Sequence, residues 1–183
     1  MLAKHLRNKS RYYSMFKKAA DGAAKGDVRS AGLVIALADT GCVSKSTVAN
    51  VLLDFSNACA TSKRNLREGL HALEVVLGLQ GEPPRPDTLN AVGKMLMLLG
   101  RPKDAVIVLQ QAVDATREEE GGGIKFESML NLCAACSRAG RHEKAVRLAA
   151  QALAKMPGEH PLRPAAVHNL MAEQAWIENR KRT

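Results

Sequence analysis

The sequence predicts an all-α protein, a right-handed α-solenoid of about four antiparallel helix hairpins plus a C-terminal capping helix. Three observations carry this. Gly100-Arg101-Pro102-Lys103-Asp104-Ala105 and Gly140-Arg141-His142-Glu143-Lys144-Ala145 superpose in phase. Each opens the same apolar ladder, Ala105, Val108, Leu109, Ala112, Val113 and Ala145, Leu148, Ala149, Ala152, Leu153, whose spacing lines one helix face. The small residue that leads the ladder recurs at Ala31, Gly69, Ala105 and Ala145, at intervals of 38, 36 and 40. Finally, no alternating strand pattern of useful length occurs.

Taken in order, Tyr12, Met15, Phe16, Ala19 and Ala20 mark a first helix at about 10–25, and Gly26 turns the chain into Ala31, Val34, Ile35 and Ala38. Val48, Val51, Leu52, Phe55 and Cys59 form the next partner helix, ahead of Gly69, Ala72, Leu73, Val76 and Leu77. That copy has Arg64 where the others have glycine, so its turn should be irregular. Gly81-Glu82-Pro83-Pro84-Arg85-Pro86-Asp87 should not be helical, because each proline lacks a donor and restricts its predecessor. Asp87 or Thr88 would then cap a helix over 88–99 carrying Leu89, Val92, Leu96 and Leu99, with Gly93 at a point of close approach. Glu118-Glu119-Glu120-Gly121-Gly122-Gly123 should fray the end of the following helix. Met129, Leu132, Cys133 and Cys136 mark the first helix of the fourth hairpin, which Pro157-Gly158-Glu159-His160-Pro161 closes. A last helix, about 164–180, carries Val167, Leu170, Met171 and Ile177 without a hairpin partner. The expected organisation is a basic arm and first helix at 1–25, a repeat body at 26–163 and a cap with basic tail at 164–183. Ala31, Gly69, Ala105 and Ala145 should pack at the seams, where a small residue lets helix axes approach to roughly 8–10 Å.

These residues carry a resemblance. Gly100…Ala105…Ala112 and Gly140…Ala145…Ala152…Pro157 resemble the second half of a tetratricopeptide repeat, and Gly93 matches that family's small first-helix residue. Met129 to Arg141, Asn57-Ala58-Cys59-Ala60, Pro86-Asp87-Thr88-Leu89-Asn90 and Arg67-Glu68-Gly69-Leu70 resemble the pentatricopeptide repeat instead. The likeness spans about residues 26–175, and the choice between the two families stays open. Pentatricopeptide repeats read one RNA base per unit, and by that resemblance the fifth position is Asn90 in one unit and Leu130 in the next. In the irregular unit it falls on Leu53 or Asp54. Asn90 suits a base edge; Leu130 cannot hydrogen-bond one. A tetratricopeptide adaptor would instead clamp an acidic peptide terminus, for which Lys94 and Asn90 are the candidates.

Charge sharpens the expectation. The chain is formally +9, yet residues 1–30 hold +6 and residues 176–183 hold +2, which leaves the body at +1. Basic ends on a neutral body suggest anchoring to a polyanion. The candidate RNA-phosphate contacts are Lys4, Arg7, Lys9, Arg11, Lys17 and Lys18 at one end and Arg180, Lys181 and Arg182 at the other. Tyr12 and Tyr13 could stack on unpaired bases. The first twenty residues lack Asp and Glu, a composition resembling a mitochondrial or plastid transit peptide; a retained basic arm is the alternative.

Chemistry is expected to be absent. Cys133-Ala134-Ala135-Cys136 lies within a helix on its apolar face, where thiols serve as small core residues. No zinc-spaced histidine pair, phosphate loop or dinucleotide fingerprint occurs. His142 in a polar turn should be exposed, and Trp176 should belong to the core of the cap. Four free thiols suggest a reducing compartment. The expectation is a non-catalytic scaffold with no cofactor, metal, membrane span or small-molecule substrate. It would serve a larger assembly, foremost a mitochondrial ribonucleoprotein such as the mitochondrial ribosome, touching protein neighbours through the body and RNA through the ends. The alternatives are a pentatricopeptide-type organellar RNA-binding factor and a cytosolic tetratricopeptide adaptor that binds peptides.

Overall fold

The computed structural model of the chain describes the backbone of residues 2–118 and 126–182, with side chains at 10–116 and 126–182. Nine helices and no strands occur among these residues: α1 (Leu2–Ala23), α2 (Val28–Ala38), α3 (Lys45–Ser62), α4 (Leu66–Gln80), α5 (Pro86–Leu98), α6 (Pro102–Glu118), α7 (Phe126–Arg138), α8 (His142–Lys155) and α9 (Arg163–Arg182). They fall into two compact units, Met1–Pro84 and Arg85–Thr183. The first unit pairs α1 with α2 and α3 with α4. The second pairs α5 with α6 and α7 with α8, and α9 packs on α8 and α7.

The seam residues are equivalent. Ala31, Gly69, Ala105 and Ala145 are each the fourth residue of their helix, and all four are buried. Around them the core is mostly aliphatic, as a chain with few aromatics requires: Leu52, Leu73 and Val76 around the aromatic Phe55 in the first unit, Met95, Leu109, Met129 and Leu132 in the second. In the α5–α6 hairpin the close approach is at Gly93, where an added Cβ would overlap the Leu109 side chain.

One backbone bond closes every hairpin. Asp27 N–H donates to Gly22 O, Arg64 to Cys59 O, Arg101 to Leu96 O and Arg141 to Cys136 O, at 2.8–3.2 Å. The residue before each donor is left-handed, and in three turns it is glycine: Gly26, Gly100 and Gly140. In the remaining turn it is Lys63 (φ 55°), one position earlier than the Arg64 that the repeat spacing marks. That turn holds one extra residue, Asn65, which is also left-handed (φ 53°). Two side-chain-bearing residues thus occupy a conformation that disfavours them. Lys63→Gly should raise stability by about 1 kcal/mol, read as a higher urea midpoint at unchanged slope.

Three boundaries differ from expectation. α1 reaches back to Leu2 rather than starting near residue 10, because no proline or glycine interrupts its start, where Leu2, Ala3, Lys4, Leu6 and Arg7 are good helix formers. α5 begins at Pro86 with Arg85 as N-cap, so neither Asp87 nor Thr88 caps it; a proline is well suited to the first helical position, where the missing N–H has no partner to lose. α6 is helical through Glu118. Glu119, Glu120 and the three glycines expected to fray it lie outside the described residues.

Candidate functional site

In the second unit the first helices of the two hairpins, α5 and α7, bring polar residues together. Asn131 Nδ2 donates to Asn90 Oδ1 at 3.0 Å. One turn further along α5, Lys94 Nζ donates to Glu127 Oε1 at 3.4 Å. Both candidate contacts, Asn90 and Lys94, therefore stand on this face and each is tied to α7. Leu130, the other candidate reader position, is buried and cannot present itself to a base. Beside Asn90 lies a cavity of about 410 Å³, lined by Asp87, Asn90, Phe126, Glu127, Ser128, His160 and Leu162. His160 Nδ1 accepts the Leu162 amide at 3.2 Å, which places the ring proton on Nε2. Phe126 meets the His160 ring edge-on, with centroids 5.0 Å apart. The sequence signal for this cavity was present in Asp87, Glu127 and His160, yet residues so far apart in the chain carry no shared spacing.

At the other end of the unit, α9 is fastened by a cluster that sequence reasoning placed differently. His142 is not exposed: its Nδ1 lies 2.7 Å from Glu173 Oε2, and the two side chains keep 13% and 10% of their surface. The turn residue is covered because α9 returns across it. Trp176 is not core either; it stacks on the His142 ring at 3.4 Å and stays 39% exposed. Arg180 lies 5.1 Å from the Trp176 centroid, so this candidate phosphate contact already has an aromatic partner.

The remaining basic candidates are on helices. Arg11, Lys17 and Lys18 are exposed on α1, and Lys181 and Arg182 are exposed at the end of α9. Lys4, Arg7 and Lys9 belong to α1, but their side chains lie outside the described ones. Positions 4, 11 and 18 recur at seven-residue intervals and so share one face of α1, away from the buried Phe16, Ala19 and Ala23. With the first helix expected from about residue 10, this alignment with position 4 follows only once α1 extends back to Leu2. Tyr12 and Tyr13 are exposed on the same helix.

The paired thiols are structural. Cys133 and Cys136 are buried on α7, and Cys133 Sγ contacts Ala145 O at 3.3 Å. Burial, with Glu173 and Cys136 nearby, pushes the Cys133 thiol up to about 12. Burial likewise raises Cys136, against Lys144 and Arg141. Such thiols are poor nucleophiles. No group of three His, Cys, Asp or Glu among the described residues could hold a metal ion, and no described helix is long and apolar enough to cross a membrane.

Residues 85–157, within the second unit, match the tetratricopeptide repeat family. The match covers that stretch alone and agrees with a tetratricopeptide-like helical repeat. Two crystal structures of TPR-like repeats of a putative kinesin light chain from Podosopora anserina are similar in fold. One, a form with a glutamine replaced by methionine, has a TM-score of 0.67 at 21% identity, and the other 0.66 at 20%. In both cases 95% of this chain and 90% of that chain are covered. No curated protein matches the chain.

Proposed function

From a tetratricopeptide-like helical-repeat scaffold as premise, we propose that this chain is a non-catalytic adaptor that receives an extended protein segment on the α5–α7 face and anchors to RNA through its basic helices. The observation that carries the first half is the polar face itself. Asn90 and Asn131 join successive first helices, and a cavity opens beside them. Amide side chains in such a row suit a main chain, whose donors and acceptors alternate. The second half rests on charge. Lysines and arginines gather at the two ends, and Lys4, Arg11 and Lys18 hold positions along one face of a 22-residue helix. A row of positive positions along one helix face can follow a phosphate backbone, and binding then weakens as salt reduces the counterion gain. The acid-free first twenty residues support an organellar setting, with a mitochondrial ribonucleoprotein as its leading form.

Co-purification of the chain with and without nuclease separates protein-held from RNA-held association. Partners held through the repeat face should survive nuclease, and RNA should not. Replacing Lys4, Arg7, Lys9, Arg11, Lys17, Lys18, Arg180, Lys181 and Arg182 by Gln should flatten the log-affinity against log-salt slope for single-stranded RNA. The expected change is about 0.7 for each phosphate that is no longer neutralised. An unchanged slope would remove the RNA half of the reading and leave the protein half standing.

A further inference from the structure

We propose that Ser14 is a phosphorylation site for a protein kinase that selects arginine, and that its phosphate closes the basic face of α1 to RNA. This rests on the RNA half of the reading above and specifies how that contact is regulated. At about 3.6 residues per turn, positions 7, 10, 11, 14, 17 and 18 fall within a sector of about 120°. Two serines thus stand amid four of the cationic positions, Arg7, Arg11, Lys17 and Lys18, with Ser14 at the centre. Phe16, Ala19 and Ala23 are buried on the other side of the helix. Each serine is the third residue after an arginine, Arg7 before Ser10 and Arg11 before Ser14. Kinases that choose substrates by charge pattern read such cations beside the acceptor.

Ser14 is available as most serines of the chain are not. Ser44, Ser46 and Ser62 are exposed but hydrogen-bonded, and Ser56 and Ser128 are buried. Ser10 and Ser14 are exposed, and neither hydroxyl has a hydrogen bond among the described residues. From residue 10 onward the first buried side chain of α1 is Phe16. The turns up to Ser14 precede that anchor, so they open for a kinase by local fraying, at far less cost than global unfolding.

The chemistry is phosphoryl transfer from ATP. Ser14 Oγ bonds to the terminal phosphorus, the bond from that phosphorus to the bridging oxygen breaks, ADP leaves and the hydroxyl proton passes to the kinase's base. The product carries a charge of about −1.5 to −2. Arg11 stands at i−3, Lys17 at i+3 and Lys18 at i+4, the spacings at which helix side chains meet. Ser10 has Tyr13 and Ser14 at the last two of these positions instead. Arg11, Lys17 and Lys18 make no ion pair among the described residues, so all three can turn to the new phosphate. Asp21, the nearest carboxylate along this face, lies about 10 Å further along the axis, near the screening length of physiological salt. Cations engaged within the helix no longer meet an external backbone.

The test incubates the full-length chain with ATP and the catalytic subunit of cyclic-AMP-dependent protein kinase, which selects arginine before serine. Binding of a uridine oligonucleotide is then titrated with salt. Peptide mass mapping should find phosphate on Ser14, absent from Ser14→Ala and strongly reduced in Arg11→Gln. The log-affinity against log-salt slope of the modified chain should be flatter by about 2, at about 0.7 for each of three cations withdrawn. Ser14→Ala should keep the unmodified slope with or without the kinase. Phosphatase should restore the original binding, which damage to the fold would not allow. No phosphate at Ser14, or a phosphorylated chain with the unmodified slope, would overturn the switch and leave the RNA reading standing on the unmodified chain. An unmodified chain whose affinity for the oligonucleotide ignores salt would remove both.

Discussion

Gly93→Ala should destabilise the second unit by about 1–3 kcal/mol, the cost of forcing a methyl into a filled core. The added Cβ would overlap Cγ and both terminal carbons of Leu109, itself fully buried. Two rigid helices face each other there, so relief must come from moving α6 or from an off-rotamer leucine. The cause has its own signature. Leu109→Ala alone should cost about 2–5 kcal/mol by leaving a cavity. In the double variant the alanine methyl partly fills that cavity, and the combined loss should be smaller than the sum. Urea unfolding of the four proteins checks this as a double-mutant cycle. Strict additivity would mean that the two residues do not share the space.

His142→Ala should release α9. It leaves the Glu173 carboxylate almost buried with its partner gone, and it removes the ring on which Trp176 stacks. Together these should cost about 2–4 kcal/mol. Trp176 is the chain's single tryptophan, so its emission reports this site alone. The expected reading is a red-shifted emission, loss of near-ultraviolet dichroism and a lower unfolding midpoint. Glu173→Gln keeps an acceptor for the histidine N–H and should cost clearly less. Equal losses for the two would show that the His142–Glu173 contact, not the ring stack, holds the helix. An unmoved Trp176 signal with His142→Ala would show that neither does.

Much of the fold was legible because it is written locally and then repeated. A small residue five positions after a left-handed glycine specifies a tight turn and a close helix pair, and the same closing bond appears at Asp27, Arg101 and Arg141. Where the local signal was altered, the reading slipped by one residue: Lys63, not Arg64, takes the glycine's place, and Asn65 is the insertion. The start of α5 misled for a related reason. Three prolines in a row of seven residues signal a break, but the last of them is also a favourable first residue of a helix.

The candidate site was less legible. Asn90 and Lys94 were visible as polar residues on a first helix, but their partners Asn131 and Glu127 lie 41 and 33 residues away. His142 read as a turn residue because a turn is exposed unless something returns across it. α9 does return, and so buries the histidine with Glu173 while leaving Trp176 half outside.

By itself the sequence determined that the chain is helical, where three of the four hairpins turn, which small residues line the seams and that its positive charge gathers at the ends. These follow from periodicity and backbone preference over a few residues, which neighbours in the chain impose directly. Only the tertiary structure decided which polar groups meet: Asn90 with Asn131, Lys94 with Glu127, His142 with Glu173. Such pairs depend on how helices are rotated about their axes when packed, and a rotation of a few tens of degrees, invisible in the hydrophobic pattern, turns an exposed residue into a buried partner.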